Sequence, residues 1–462
     1  MTIIQNENET DNAIFKCCQQ FIKRFDVNQL LREANATKEK GIPAYELFAL
    51  LLNLVFSGKN LYALLSTCHE KIPFEKDTVY RFLNKATINW TSFVRKLALR
   101  VIPQIDRLTS KERTIALIID DTPYYRNRSK KVEMLSRCYD HIKHQYYKGL
   151  SLLTLGWSDG QTFVPVDFRL VAASNDENLL NGSNVKEDNR TLATKRRVDA
   201  CKEKPQLVLE MLKSVKDTVA QAKYVLFDSW FASPSSLLAI MNLGYYVAAR
   251  LKNLEKHLYV YQGERLSISA IFRKCKKRRG CARYLLCVTI QVQHKNFPNG
   301  IDAQLVYVRD RSNRKKWIAL VSTDMSLKAE EIIALYGKRW DIETFFKFTK
   351  SYLQLAKEFQ TRSFDAMTAH TAIVLTRYTL LSLENRENKD ERTIGMLFYF
   401  VCKEMEDISF EFAFALLIEN MKQSLLDFLH LPKKQIDSFI SHFMDNLPSF
   451  IKAKLRLSLC ES

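Results

Sequence analysis

The run TIALIIDD, residues 114–121, is typical of a buried strand, because its β-branched apolar residues lead directly into two aspartates. A second run of this kind, YVLFDSWF at residues 224–231, carries Asp228 near its end. A helical pattern at 205–222 precedes it, and a helix at 233–244 and a strand at 245–251 follow. Alternation of strands and helices favours an α/β sheet that delivers acids at its strand ends.

Two further segments extend this predicted sheet. They are GLSLLTLGWSDG at 149–160 and QTFVPVDFRLV at 161–171, and a turn containing Asp159 and Gly160 joins them. Apolar strands separated by such a short turn are typical of a β-hairpin.

Helical patterns flank the α/β region on both sides. At the N-terminal side, residues 43–56, 60–68 and 77–85 follow a helix-turn-helix rhythm. The last segment presents polar groups suited to phosphates or base edges, namely Tyr80, Arg81, Asn84 and Lys85. The same rhythm also suits a plain helical bundle. At the C-terminal side, 372–383, 396–405 and 410–421 predict amphipathic helices that pack on the core or on a second subunit.

The charge of the chain favours a polyanionic partner. The 462 residues include 70 Lys and Arg and 51 Asp and Glu, which gives a net charge of +19. Residues 251–316 hold 16 of the cations and 4 acids, a net +12, within predicted strands at 282–293 and 302–310. This basic β-rich insertion is either a solvated face or a platform for a phosphate backbone. The turn cations that would contact the backbone are Lys276, Lys277, Arg278 and Arg279.

Composition excludes several classes of protein. No apolar stretch reaches the ~18 residues that a transmembrane helix needs, and no secretory signal is visible at the N-terminal side. Apolar residues at 47% argue against a disordered or fibrous chain. The ten cysteines form no CxxC pair, so a structural zinc site is not expected.

The segment ALYGKRWDIETFFKFTKSYLQL, residues 334–355, predicts one helix with a polar stripe beside its apolar face. Tyr336, Arg339, Glu343 and Lys350 fall within about 60° of one another at 100° per residue. Taken alone, Arg339 and Glu343 form a routine helical ion pair. Beside the strand-end acids, the stripe instead indicates the edge of a cleft.

Three carboxylates from two strands and a helix can hold two divalent ions, and oxygen ligands suit Mg²⁺ or Mn²⁺. Phosphodiester chemistry uses such a pair, one ion at the attacking oxygen and the other at the leaving oxygen. Cations on the stripe, together with Arg126 after the first strand, would bind the phosphate oxygens.

These residues resemble the DDE-type transposases of bacterial insertion sequences that carry the Y(2)R(3)E(6)K signature, the "IS four" family. Tyr336, Arg339, Glu343 and Lys350 match the signature spacing, and the order of strand, strand, β insertion and helix extends the resemblance over residues 114–360. The resemblance implies an RNase H-like mixed-sheet α/β core, interrupted by a β-strand insertion and flanked by helical N- and C-terminal regions.

The resemblance also implies the site. Asp121, Asp228 and Glu343 would bind Mg²⁺, with Mn²⁺ as a substitute, and Tyr336, Arg339 and Lys350 would contact DNA phosphates. The first acid is either Asp120 or Asp121. We choose Asp121 because the family usually places a hydroxyl residue, here Thr122, after that acid. Trp230 stands where many relatives carry Gly or Ala, and it either stacks on an unpaired base or packs in the core.

By the same resemblance, the partners are double-stranded DNA, as terminal inverted repeats and as target, and a second protomer in a homodimer on paired ends. The setting would be the bacterial cytoplasm, in association with the nucleoid. The expected activity is metal-dependent strand cleavage at the element ends, followed by transfer of the 3′-OH into target DNA.

Two rival functions stay open, namely a metal-dependent DNA endonuclease without strand transfer and a catalytically inactive DNA-binding repressor. A two-carboxylate glycosidase explains neither the basic insertion nor the cationic stripe.

The expected division of the chain follows from these patterns. It comprises a helical DNA-binding region (1–110), the first part of the catalytic core (111–250), the basic insertion (251–316), the second part of the core with the Glu343 helix (317–362) and a helical region suited to dimerisation (363–462).

Overall fold

The fold is seen in a computed structural model of the chain. It describes residues 13–387, and beyond them 418, 421–422, 425–426 and 432–447. Short gaps within the first range fall at 39, 59, 68–71, 73, 111, 142, 176, 186–187, 189, 217, 220–221, 280–281, 311–312, 314–315 and 360.

One mixed sheet of 11 strands runs through the molecule, in the order β2-β3-β1-β5-β6-β11-β10-β9-β7-β8, with β4 paired to β3. The strands are β1 (Ala116–Tyr125), β2 (Ser136–Asp140), β3 (Gln145–Ser158), β4 (Phe163–Val171), β5 (Tyr224–Phe227), β6 (Tyr246–Leu251), β7 (Tyr259–Tyr261), β8 (Glu264–Leu266), β9 (Leu286–His294), β10 (Phe297–Arg309) and β11 (Trp317–Ser322).

The described residues also form α-helices. They are α1 (Ala13–Arg24), α2 (Val27–Glu33), α3 (Ala44–Leu54), α4 (Leu61–Thr67), α5 (Lys76–Leu83), α6 (Trp90–Arg107), α7 (Leu192–Ala200), α8 (Lys204–Val215), α9 (Pro234–Asn242), α10 (Ile268–Lys274), α11 (Ala329–Gly337), α12 (Trp340–Ser351), α13 (Phe364–Glu387) and α14 (Lys433–Asp445).

The core forms where apolar strands meet apolar helix faces. β1 and β5 are buried because they are central strands, and both pair in parallel as their Val, Ile and Leu content predicts. Helix α6 packs on β4, and α13 packs on α6, β4 and α3. Nearly all of α13 is buried, and its apolar residues therefore surround the helix instead of forming one stripe.

The fold class expected from the sequence is confirmed, since a large mixed sheet is flanked by helices. The hairpin is also confirmed, because β3 and β4 pair antiparallel across the turn at Asp159 and Gly160. Strands β7 to β10 lie mostly within 251–316 and extend the same sheet through β11. The boundaries of the five expected regions stay a prediction.

Two expectations need correction or fall outside the structure. The single helix predicted over 334–355 is wrong: α11 ends at Gly337, and tight turn hydrogen bonds at Lys338 and Arg339 separate it from α12. Glycine at this point weakens the helix, because it has a poor helix propensity. The predicted C-terminal helices at 396–405 and 410–421 lie almost wholly outside the described residues.

No helix among the described residues is long and apolar enough to span a membrane.

One buried cation ties the N-terminal helices to the rest of the fold. The Arg377 side chain on α13 is fully buried and forms two hydrogen bonds of 2.9 and 3.0 Å with the Glu358 carboxylate. It also donates to the backbone carbonyls of Leu51 and Leu52 at the end of α3. The last carbonyls of a helix have no hydrogen-bond donor within the helix. The Arg377 guanidinium supplies donors to two of them, which would otherwise be buried without a partner.

We expect Arg377→Met to lower the free energy of unfolding by about 3–5 kcal/mol, because it leaves the Glu358 carboxylate buried without its cation. Urea unfolding followed by circular dichroism measures the change. The control is Arg190→Met, since Arg190 is 91% exposed in its pair with Asp188, and it should change stability by less than about 0.5 kcal/mol. Equal effects of the two substitutions would contradict the structural role of Arg377.

Candidate active site

Two acids lie side by side on neighbouring central strands. β1 and β5 pair in parallel up to the register partners Ile119 and Phe227. Asp120 is the next residue of β1, and Asp228 is the first residue after β5. The prediction that the first strand ends at its two aspartates is wrong, because β1 continues to Tyr125. Neighbouring positions in a parallel pair point to the same face, and strands are about 4.8 Å apart, so the two carboxylates share one end of the sheet.

Arg339 connects the first of these acids to the acid on the helix. Its guanidinium lies 3.2 Å from Asp120 Oδ2 and 2.5 Å from Glu343 Oε1. Arg339 stands at the start of α12, one helical turn before Glu343, which is the i, i+4 spacing of a helical ion pair. The cation therefore lies between Asp120 of β1 and the helix acid.

Tyr336 reaches the second strand-end acid. Its hydroxyl lies 3.4 Å from Asp228 Oδ1, and its ring is 5.6 Å from the Arg339 guanidinium carbon. Burial raises the pKa of the Tyr336 hydroxyl well above its usual range, so the group stays protonated and can donate. Tyr336, Arg339 and Glu343 of the sequence-predicted stripe thus converge with Asp120 and Asp228.

The local electrostatics show that negative charge is concentrated here. Burial, chiefly, and the neighbouring Asp121 and Asp228 carboxylates raise the pKa of Asp120 to about 7, although Arg339 opposes the shift. Burial and the neighbouring carboxylates therefore outweigh the effect of the one guanidinium on this acid.

Asp121, our choice for the first acid, has different partners. Its Oδ2 accepts hydrogen bonds from Ser151 Oγ at 2.5 Å and from Lys204 Nζ at 2.7 Å. Successive side chains of a strand point to opposite faces, so Asp120 and Asp121 cannot both face Arg339. Of the two candidates, the structure brings Asp120 next to Arg339 and Glu343.

A cavity of about 1190 Å³ surrounds these groups. Asp120, Asp121, Asp228, Arg339 and Glu343 all line it. Its rim carries exposed aromatic side chains: Trp230 is 52% exposed and Trp340 is 61% exposed. The Trp230 ring contacts the His141 ring, with centroids 4.8 Å apart, and the Lys252 ammonium lies 4.6 Å from its centre. Trp230 is therefore a surface residue of the cavity and not a core residue.

Three other predicted groups lie apart from the carboxylates. Lys350 Nζ donates to Thr122 Oγ1 at 2.5 Å, and burial lowers its pKa to about 8. Arg126 donates to the backbone carbonyls of Ala356 and Phe359. Lys276, Lys277, Arg278 and Arg279 form a mostly exposed stretch between α10 and β9. These residues do not line the cavity, and their roles in binding DNA stay predictions.

The donor set of the site fits a hard divalent cation. Asp120, Asp228 and Glu343 offer only carboxylate oxygens, the ligands that Mg²⁺ and Mn²⁺ prefer, and the raised pKa of Asp120 marks a place where added positive charge is favourable. Within the part of the chain that the structure describes, no three acid, histidine or cysteine side chains are already grouped to hold a metal ion. The Arg339 guanidinium separates Asp120 from Glu343.

The sequence analysis did not find Lys204, Ser151 or Trp340, all of which border this region. Lys204 is the first residue of α8, where a positive charge is electrostatically unfavourable. A cation at that position is the sequence signal that could have drawn attention to Lys204. Nothing local marks Ser151, whose role depends on the pairing of β1 with β3.

Comparison with known proteins covers all three acids. A family model described as DDE superfamily endonuclease matches residues 28–263, which include Asp120, Asp121 and Asp228. A second, described as transposase DDE domain, matches residues 192–380, which include Asp228 and Glu343. No curated protein matches the chain. Enzymes of this kind are transposases or DNA endonucleases, act on DNA and generally use divalent metal ions. With the first match covering more than half of its length, the chain belongs to the DDE superfamily of endonucleases.

Proposed function

We propose that the chain is a transposase of the insertion-sequence group with the Y(2)R(3)E(6)K signature. It would cleave DNA strands at the element ends and join each freed 3′-OH to target DNA. The observation that carries the proposal is the joint contact of Arg339 with Asp120 and Glu343, next to Tyr336 and Asp228. Three signature residues and two sheet acids thereby meet, and Asp120, Asp228, Arg339 and Glu343 of this group line one cavity.

In this proposal Asp120, and not Asp121, is the first acid. Asp120, Asp228 and Glu343 would hold two Mg²⁺ ions, with Mn²⁺ as a substitute. When bound, such ions lower the pKa of the attacking hydroxyl and stabilise the leaving oxygen. We leave Asp121 out of the set because successive residues of β1 point to opposite faces, and Asp120 is the one that meets Arg339 beside Glu343.

The chain's own residues would position the DNA strand. In the first step, water attacks the phosphorus at the element end, the P–O3′ bond breaks, and a 3′-OH and a 5′-phosphate result. In the second, that 3′-OH attacks a target phosphodiester, a new P–O3′ bond forms and the target's own 3′ oxygen leaves. In both steps Arg339 would donate charge-assisted hydrogen bonds to the phosphate oxygens, and Tyr336 would donate a neutral one.

An endonuclease without strand transfer is the second candidate. The match to the model described as DDE superfamily endonuclease favours it, because that description requires cleavage only. Both candidates use the same carboxylates, so the fate of the 3′-OH separates them. A repressor without catalysis would bind DNA equally well with and without a divalent metal ion.

The remaining parts of the chain have proposed roles that follow from the same function. The N-terminal helices of region 1–110 and the basic insertion at 251–316 would bind DNA outside the cavity, and two protomers would pair on two element ends. Exposed cations support the insertion's part: among the described residues between α10 and β9, Arg278 and Arg279 are exposed.

We expect Asp120→Asn, Asp228→Asn and Glu343→Gln each to slow strand cleavage at least about a hundredfold, because each removes a carboxylate charge that the metal ions need. The matched control, Asp121→Asn, changes the neighbouring acid and should slow cleavage less than about tenfold. Cleavage of end-labelled DNA that flanks the coding sequence, with Mg²⁺, measures the rates. The assignment of Asp120 is wrong if Asp121→Asn abolishes cleavage while Asp120→Asn does not.

We expect the wild-type chain to join a labelled 3′-OH end to unrelated plasmid DNA when Mg²⁺ or Mn²⁺ is present. EDTA should abolish joining, because the carboxylates then lack their cations. The joined product is detected as label that co-migrates with the plasmid on a denaturing gel. Cleaved ends without joined product would support the endonuclease instead, and the absence of both products would support the repressor.

A further inference from the structure

Asp121 and Lys204 form an ion pair inside the cavity that the proposed reaction leaves unused. The Lys204 ammonium donates to Asp121 Oδ2 at 2.7 Å, and Ser151 donates to the same oxygen. The Asp121 side chain is 15% exposed and the Lys204 side chain 29% exposed. The acid is therefore held firmly from the protein side, while the cation keeps access to the cavity.

Lys204 has hydrogen-bonding capacity left over. An ammonium group has three N–H donors, and within the described residues Asp121 is the one partner that Lys204 has. By contrast, the neighbouring Lys202 is saturated with acids, since it pairs with both Asp199 and Glu210. Both lysines line the cavity, but Lys204 alone of the two has donors to spare for a ligand.

The position of Lys204 also costs stability. It is the first residue of α8, where the helix dipole disfavours a positive charge. The Asp121 carboxylate offsets part of that cost, and its ion pair with the ammonium group fixes the position of Lys204. A cation kept at an unfavourable place, with free donors directed to a cavity lined by acids, suits an anionic ligand.

We infer that Lys204 binds a phosphate oxygen of the DNA strand that enters this cavity, and that Asp121 and Ser151 position its ammonium group. The inference rests on the proposed function, because it takes DNA as the ligand. Acids alone would repel a phosphodiester, and Lys204 supplies positive charge in the cavity that Asp120 also lines, in addition to that of Arg339. Lys204 is thus a binding residue, and Asp121 is a positioning residue that acts through it.

The binding experiment compares Lys204→Gln with Lys213→Gln. Lys213 lies on the same helix, is exposed and does not line the cavity, so the control removes the same charge elsewhere. Anisotropy of a fluorescein-labelled duplex from the DNA that flanks the coding sequence gives Kd over a range of KCl concentrations, with EDTA present. We expect Lys204→Gln to bind about tenfold more weakly and to lower the slope of log Kd against log salt by about one.

Two further variants separate a binding role from a structural one. Lys204→Arg should restore the salt slope, because it restores the charge. Asp121→Asn keeps the Lys204 charge and should leave the slope unchanged, yet it should slow cleavage at saturating DNA about fivefold, because the ammonium group is no longer held in place. A purely structural role would alter the melting temperature of these variants without any selective change in the salt slope.

The outcomes are distinct. An unchanged affinity and salt slope for Lys204→Gln would overturn the phosphate role, as would equal losses for Lys204→Gln and Lys213→Gln. Loss of cleavage in Asp121→Asn as complete as in Asp228→Asn would make Asp121 a metal-binding acid and overturn its positioning role. If the wild-type chain cleaves no DNA, the proposed function fails, and the salt slopes measured in EDTA still decide whether Lys204 binds phosphate.

Discussion

The parallel pairing of β1 with β5 is the constraint on which the site depends. Its register places Ile119 opposite Phe227, so the residues that follow lie side by side, Asp120 within β1 and Asp228 just after β5. Hydrogen bonds between these buried strands hold that register, and a slip of one residue would move Asp228 to the face opposite Asp120. The distance between two acids more than a hundred residues apart in the chain is therefore set by backbone pairing.

Positive charge makes this arrangement of acids tolerable and gives each acid a separate role. Arg339 holds Asp120 and Glu343, and Lys204 neutralises Asp121 on the other face of β1. The pKa of Asp120 is nevertheless raised, chiefly by burial and also by the neighbouring carboxylates. Two adjacent aspartates thus differ in function because a strand directs them to opposite faces, where different cations meet them.

The sequence was sufficient to predict the mixed α/β fold, the hairpin of β3 and β4, and the convergence of Tyr336, Arg339 and Glu343, because hydrophobic periodicity and residue spacing report on local structure. It favoured Asp121 over Asp120 as the first acid, whereas the structure brings Asp120 next to Arg339, since which face of β1 meets α12 is a tertiary fact. For the same reason it did not show that Lys350 turns to Thr122. Lys204 and Ser151 came together only through strand pairing and helix placement, which no local pattern encodes.

The central claim, that Asp120, Asp228 and Glu343 share bound metal ions, can be tested without DNA. Fe²⁺ bound in place of Mg²⁺ generates hydroxyl radicals with ascorbate and peroxide, and these cut the backbone close to the ion. Mass spectrometry locates the cuts. The account predicts cuts near residues 120, 228 and 343 that excess Mg²⁺ suppresses together and that Asp228→Asn removes together. Cuts at one of these places alone, or cuts that Mg²⁺ leaves unchanged, would contradict a shared site.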